Sequence, residues 1–260
     1  MIDVQNQTDT RGIKIQQTGV TGVHLPFFIF IGGEFQQVLA KVRFTVSLSE
    51  KIRGTHMSRL VEILTDFSAV PLKISDIEKI LLDATEKLET DFAAIKMAFK
   101  FFVKRAAPIS EKISLLDIDC EISANFSRSS NANFSLKLAV PFTSLCPCSK
   151  EISEFGAHNQ RSICRVKLDF NDVENLDVEK IVRLIESQGS GKIYPLLKRE
   201  DEKFVTEAAY KNPKFVEDIL RDVVISLRQL ENILAFEVEC ENFESIHNHN
   251  AFAFHSEIRS

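Results

Sequence analysis

Ala40-Lys-Val-Arg-Phe-Thr-Val-Ser-Leu48 alternates apolar and polar side chains without a break. Successive side chains of a strand point to opposite faces, so this run reads as a strand with one face buried and one wet. The same period returns at residues 95–103, 116–124, 134–142, 164–170 and 234–240, and more weakly at 251–258. Between these runs the spacing becomes helical. Ser75-Asp-Ile-Glu78 reads as a capping box ahead of Ile77, Ile80, Leu81, Ala84 and Leu88, and Asp177 precedes Val178, Ile181, Val182 and Ile185. Asn212-Pro213 is expected to open a helix carrying Val216, Ile219, Leu220, Val223, Val224 and Leu227.

As elements, the first half reads strand, strand, helix, helix, strand, strand, and the second half repeats it. The architecture is duplicated although the sequence is not. The polar stretch Ser127-Arg-Ser-Ser-Asn-Ala-Asn133 is the natural boundary, giving a first unit of residues 1–127 with an N-terminal extension and a second of residues 128–260. The expected class is α+β with antiparallel sheets. A four-stranded open sheet leaves edges that want a partner, so the units are expected to pair or close into barrels and the chain to form an oligomer.

Composition narrows the function. A formal net charge of -5 argues against a general nucleic-acid binder while leaving phosphorylated small molecules open. The polar first 22 residues lack the succession of a signal peptide, and Leu25-Pro-Phe-Phe-Ile-Phe-Ile31 is far short of a membrane span. A cytoplasmic enzyme or binder is the default expectation. Five cysteines are an odd number and do not suggest a secreted disulfide framework. Cys120, Cys164 and Cys240 fall in phase with apolar neighbours and read as core residues. Cys146 and Cys148 flank Pro147 just after a strand pattern ends, and Gly156-Ala-His158-Asn-Gln-Arg161 follows, with His158 ten residues after Cys148. Thiolate and imidazole together suit a divalent metal or a reactive thiol.

Tracing the second half as an antiparallel sheet with two helices puts Cys146, Cys148, His158, the link Lys198-Arg-Glu-Asp-Glu202 and the loop holding Glu244, His247 and His249 at one pole. Cys146, His158, Glu202, Glu244 and His247 can then supply mixed sulfur, nitrogen and oxygen ligands with a position open for water. A closed site that merely staples loops is the alternative. At the opposite pole of the first half, Lys51-Ile-Arg53-Gly-Thr-His56-Met-Ser-Arg59 offers donors at a helix start, suited to an anion or equally to a solvated face. If both motifs serve one site, it must span two units or two subunits. Glu217, four before Arg221, is either half of an exposed ion pair or a carboxylate for the amidine edge of a base.

These motifs, with Leu197-Lys-Arg199, Asp201-Glu202-Lys203 and Asn242-Phe-Glu244-Ser-Ile-His247-Asn-His249-Asn-Ala, make the chain resemble the type IB GTP cyclohydrolase I family over nearly its whole length. The resemblance implies a tunnelling fold of two tandem ββααββ units and a homotetramer with sites at interfaces. It implies hydrolysis of GTP to 7,8-dihydroneopterin 3'-triphosphate and formate, the first step of tetrahydrofolate biosynthesis, by attack of a metal-activated water at guanine C8. Cys146, His158, Glu202, Glu244 and His247 would surround a divalent manganese, iron or zinc ion, with Cys148 in support, and Glu217 would anchor the purine. His247 or His249 would shuttle protons. His56, Arg53, Arg59, Lys150, Arg161, Lys198 and Arg199 form the substrate-binding pool. The competing readings are a tunnelling-fold NADPH-dependent nitrile reductase with a cysteine nucleophile and a non-enzymatic pterin-binding module. Family members that make a cyclic phosphate are not separated by these motifs.

Overall fold

The structure is a computed structural model and describes residues 4–5, 7–170 and 172–259. In chain order the elements are β1 (Ile15–Ile31), β2 (Glu34–Leu48), α1 (Met57–Ser68), β3 (Pro71–Leu72), α2 (Ile77–Lys87), β4 (Phe92–Ala106), β5 (Ile113–Ser127), β6 (Ser130–Leu145), α3 (Pro147–Ile152), β7 (Asn159–Phe170), α4 (Val178–Glu186), β8 (Gly191–Lys192), α5 (Arg199–Lys211), α6 (Val216–Arg228), β9 (Ile233–Asn242) and β10 (Ala251–Ile258). Every alternating run of the sequence lies inside a strand. The chain condenses into two compact units, one of residues 1–100, 121–135 and 171–176, the other of residues 101–120, 136–170 and 177–260.

In the first unit β1 and β2 form a long hairpin closed by Gly32-Gly33, both at positive φ (66° and 80°), the backbone that a tight strand-matched turn demands. The strand order is β3-β1-β2-β4, with β3 parallel to β1 and the other pairs antiparallel. Helix α1 packs on β1 and α2 on α1. The capping box expected at Ser75 and Glu78 does not form. A 3-10 turn at Ile74–Asp76 moves the helix start by one residue, and the Asp76 carboxylate takes the Lys73 N–H (2.8 Å) and Lys79 Nζ (2.6 Å). A carboxylate there also meets the positive end of the helix dipole. The polar stretch from Ser127 to Asn133 is a hairpin in which only Arg128 and Ser129 lie outside strands.

In the second unit the order β10-β9-β7-β6 is antiparallel where register is defined, with Ser162 opposite Asn242, Asn242 opposite Ala251, and Cys164 opposite Cys240. Cys120, Cys164 and Cys240 are buried, as their phase requires, and the facing Cys240 together with burial pushes the Cys164 thiol up. Asp177 caps α4 through the Lys180 N–H (2.9 Å). Helix α6 lies on β9 and β10 and inserts Val216, Ile219, Val223 and Leu227, each contributing about 1.5–3 kcal/mol by leaving water. It starts at Val216, three residues beyond Pro213, with the Phe215 N–H donating to Asp218 (3.1 Å). The segment Lys198–Glu202, expected to be a link, begins a further helix, α5. Its charged first turn and narrow apolar face hide it from a periodicity search.

Candidate active site at the ends of strands β6, β7 and β9

Antiparallel pairing puts the end of one strand beside the start of the next, which is how distant residues meet here. Cys146 closes β6 and is the N-cap of α3, with Pro147 in the first turn, where its missing N–H costs nothing. The Cys146 N–H donates to the His158 carbonyl (3.1 Å), and its sulfur accepts the Ser149 N–H (3.4 Å). Ser149 Oγ in turn accepts the His158 N–H (3.2 Å), so the loop from 146 to 158 is closed by its own hydrogen bonds. Pairing of Ser162 with Asn242 carries Glu244 to the same end, and its Oε2 lies 3.8 Å from His158 Nδ1, both side chains 13 % exposed.

Residues that sequence reasoning missed set the imidazole. Gln160 Nε2 donates to Ser144 Oγ (2.8 Å), and Ser162 Oγ donates to the same oxygen (2.9 Å), all three residues being buried. The Gln160 carboxamide oxygen is thereby turned to His158 Nδ1 (2.9 Å). That nitrogen then carries the proton, so a neutral imidazole keeps its lone pair on Nε2, the form a ligand or base needs. The only sequence signal for these residues was their inward phase on β6 and β7.

Glu217 reaches the site because the start of α6 is tied to the end of β6. The Lys214 N–H donates to the Leu145 carbonyl (3.1 Å), and Lys214 Nζ reaches the Gln188 carbonyl (2.9 Å) and Asp222 (2.7 Å). The ion pair of Glu217 with Arg221 does not form; Arg221 turns to Asp218 at 3.3 Å, one residue closer on the helix. Among the described residues the Glu217 carboxylate has no hydrogen bond or ion pair. A cavity of about 180 Å³ joins Cys146, Gln160, Lys214, Glu217, Asn242 and Glu244. Buried Asn242 lines it with an Oδ1 that accepts no hydrogen bond. A buried acceptor left unpaired costs about 1–3 kcal/mol, relieved by any donor that enters.

Other candidates stand apart from this cavity. Glu202 is exposed on the first turn of α5, whose start is clamped by Asp201. That carboxylate accepts from Ile109 N (2.8 Å), Ser110 N (2.9 Å), Ser110 Oγ (2.5 Å) and Lys198 N (2.8 Å). Burial alone would raise its pKa, but these donors hold it well below the usual carboxylate range. His247 and His249 are exposed in the β9–β10 loop with their rings stacked at 5.1 Å. Cys148 is exposed on α3. Lys150 Nζ is held by the Tyr210 carbonyl (2.6 Å) and lies over the Tyr210 ring. Arg161 lines a neighbouring open groove with Phe243, and Lys198 and Arg199 are exposed at the start of α5. In the first unit Arg53 donates to Gln7 Oε1 (2.6 Å) and Arg59 to the Lys87 carbonyl (3.0 Å), while His56 heads α1 without a side-chain cap bond.

Among the described residues no three His, Cys, Asp or Glu side chains stand together as a ready metal-holding group. Cys146 and Glu244 at the cavity, with His158 beside Glu244, nonetheless fit a divalent ion in kind: a thiol sulfur, a carboxylate and an imidazole. Among the described residues no helix is long and apolar enough to cross a membrane.

Known proteins resemble this chain in sequence and in fold. A family model described as Type I GTP cyclohydrolase folE2 matches residues 1–253. The GTP cyclohydrolase FolE2 of Citrifermentans bemidjiense is 45 % identical over 252 residues, covering 96 % of this chain and 92 % of the relative. That of Dictyoglomus turgidum is 44 % identical over 254 residues, covering 97 % and 96 %. Among solved structures the urate oxidase of Bacillus subtilis 168 superposes with a TM-score of 0.55 at 7 % identity, over 94 % of this chain and 99 % of that one. The uricase of Arthrobacter globiformis gives 0.52 at 9 %, over 94 % and 93 %. At such identity these share the fold alone, a mixed α+β tunnelling fold. With the motifs, the fold and the relatives in agreement, the chain belongs to the type I GTP cyclohydrolase FolE2 family.

Proposed function

We propose that this protein is a type IB GTP cyclohydrolase I, hydrolysing GTP to 7,8-dihydroneopterin 3'-triphosphate and formate in folate biosynthesis. The observation that carries the reading is the cavity in which Cys146, the unpaired carboxylate of Glu217, Glu244 and the orphaned Asn242 oxygen meet, in a chain of this family. Glu217 accepts the N1–H and 2-amino protons of guanine, a donor pair that matches a carboxylate. Cys146, His158 and Glu244 would hold a divalent manganese, iron or zinc ion, with Glu202 and His247 completing its ligands. Such an ion supplies acidification of water at neutral pH. Gln160 orients His158 so that the neutral imidazole presents Nε2, and His247 or His249 would give a proton to the ring nitrogen that leaves and recover one from the attacking water as formate forms.

The phosphates are met from the pool of Arg53, Arg59, Lys150, Arg161, Lys198 and Arg199, some of which must give up internal partners to do so. The tandem halves 1–127 and 128–260, a homotetramer with sites at interfaces and a cytoplasmic setting belong to the same reading. The sheet edge at β10, with Phe252, Phe254 and Ile258 exposed, supports assembly with further copies. Chelator-stripped protein given GTP and each metal in turn, with formate and pterin followed together, tests the proposal. Metal-dependent release of both supports it; none with any metal, from folded protein, refutes it, and NADPH oxidation would then favour the nitrile reductase.

A further inference from the structure

A second cavity in the same unit, of about 290 Å³, shares no residue with the one at Cys146. It is lined by Lys104, Arg105, Arg183, Glu186, Lys192 and Tyr194, with Ala106 and Ile113. Arg105 and Glu186 form a buried pair at its floor, 6 % and 1 % exposed and 2.5 Å apart. Glu186 is fully committed, since its second oxygen takes Lys192 Nζ at 3.4 Å. Arg183 pairs with Glu179 at 2.5 Å from the helix surface. Three cations thus meet two carboxylates, and the cavity carries a positive excess.

Two donors there are uncommitted. Arg105 Nε is buried and has no hydrogen-bond acceptor. Leaving such a charged donor unsatisfied costs more than leaving a neutral one, so it stands out in an otherwise paired cluster. The Tyr194 hydroxyl has no partner among the described residues, and burial, with the Glu186 charge behind it, pushes its phenol up, so it stays a neutral donor. We infer that this cavity is an anion site for a phosphate-bearing small molecule. The cavity is near the lower end of small-ligand pockets and too confined for a polymer. Guanidinium groups match phosphate oxygens in geometry, and a phosphate monoester brings close to two negative charges where a carboxylate brings one.

Calorimetric titration of the full-length protein with inorganic phosphate, pyrophosphate and tripolyphosphate tests the site. Lys192→Gln and Arg183→Gln remove cations whose side chains are 43 % and 62 % exposed, leaving the buried pair and the fold in place. Lys14→Gln removes an equal charge from an exposed position in the other unit. The expected result is binding to wild type and Lys14→Gln alike, and at least about tenfold weaker binding to both cavity variants, the loss of one charge-assisted contact. Equal affinity in all four proteins, or no binding to any, overturns the inference. Where the site stands, the KM for GTP tells the source of the phosphate. A rise of similar size in the cavity variants assigns the cavity to the triphosphate tail of the substrate, and an unchanged KM assigns it to a separate phosphate compound.

Discussion

Replacing Glu217 by Gln is the sharpest test of the substrate reading, because the two side chains have the same shape and differ in what they accept. The wild-type carboxylate lines the cavity at Cys146 and among the described residues has no hydrogen bond or ion pair, so its charge serves the fold only through the first turn of α6. On the proposed reading it accepts two hydrogen bonds from guanine, and Gln would keep one acceptor while setting an NH2 group against the other guanine donor. One hydrogen bond to a charged group is worth about 1.5–3 kcal/mol. At 1.36 kcal/mol per decade, kcat/KM for GTP should fall about 10- to 150-fold. Inosine 5'-triphosphate lacks the 2-amino group, so Gln can turn its oxygen to N1–H and avoid the clash. Its kcat/KM should fall by less than that of GTP, and the difference is the coupling energy between Glu217 and the amino group. Steady-state formate release with both nucleotides, on protein whose circular dichroism matches wild type, gives all four values. A GTP value within about threefold of wild type, or equal losses on both nucleotides, refutes the assignment.

The imidazole network predicts that Gln160→Ala frees His158 Nδ1 and weakens metal retention about 10- to 100-fold, read by competition with a chromogenic chelator. Removing one partner of the buried Arg105–Glu186 pair, as Glu186→Leu, should cost about 3–5 kcal/mol, whereas Arg105→Met/Glu186→Leu recovers much of it; urea midpoints of the two compare the costs. Asp76→Ala should cost about 1 kcal/mol at neutral pH through the 3-10 turn that leads into α2. Burial raises the Asp76 pKa, but Lys79 and the Lys73 N–H outweigh it, so the folded value lies below the unfolded one. That contribution is present above the unfolded carboxyl pKa and lost on acidification, so the urea midpoints of wild type and variant should converge as pH falls below about 4.

The strands were legible in the sequence because a half-buried strand writes its two faces at period two, and β2, β4, β5, β6, β7, β9 and β10 all carry that signature. Helix α4 was legible for the same reason at its own period, down to the cap at Asp177. Helix α5 was not, because its first turn is charged and it buries only Asp201 and Ala209. The start of α2 was missed by one residue, since a short 3-10 turn changes which side chain faces the free N–H groups.

At the site, residue types and loop order alone brought Cys146, His158 and Glu244 to one end of the sheet, because antiparallel connectivity forces alternate loops to the same pole. The choice between ion pair and free carboxylate at Glu217 was open to sequence and was decided in three dimensions. Arg221 finds Asp218 nearer, and Lys214 ties the start of α6 to the end of β6. The Ser144–Gln160–Ser162 chain, the orphaned Asn242 oxygen and the cationic cavity at Arg105 lie beyond sequence reading altogether. Sequence states which groups a chain carries, by periodicity and chemistry that are local. Which donor meets which acceptor, and which is left without one, depends on packing between residues as far apart as 16 positions for Ser144 and Gln160 and 81 for Arg105 and Glu186, and only the tertiary structure decides that.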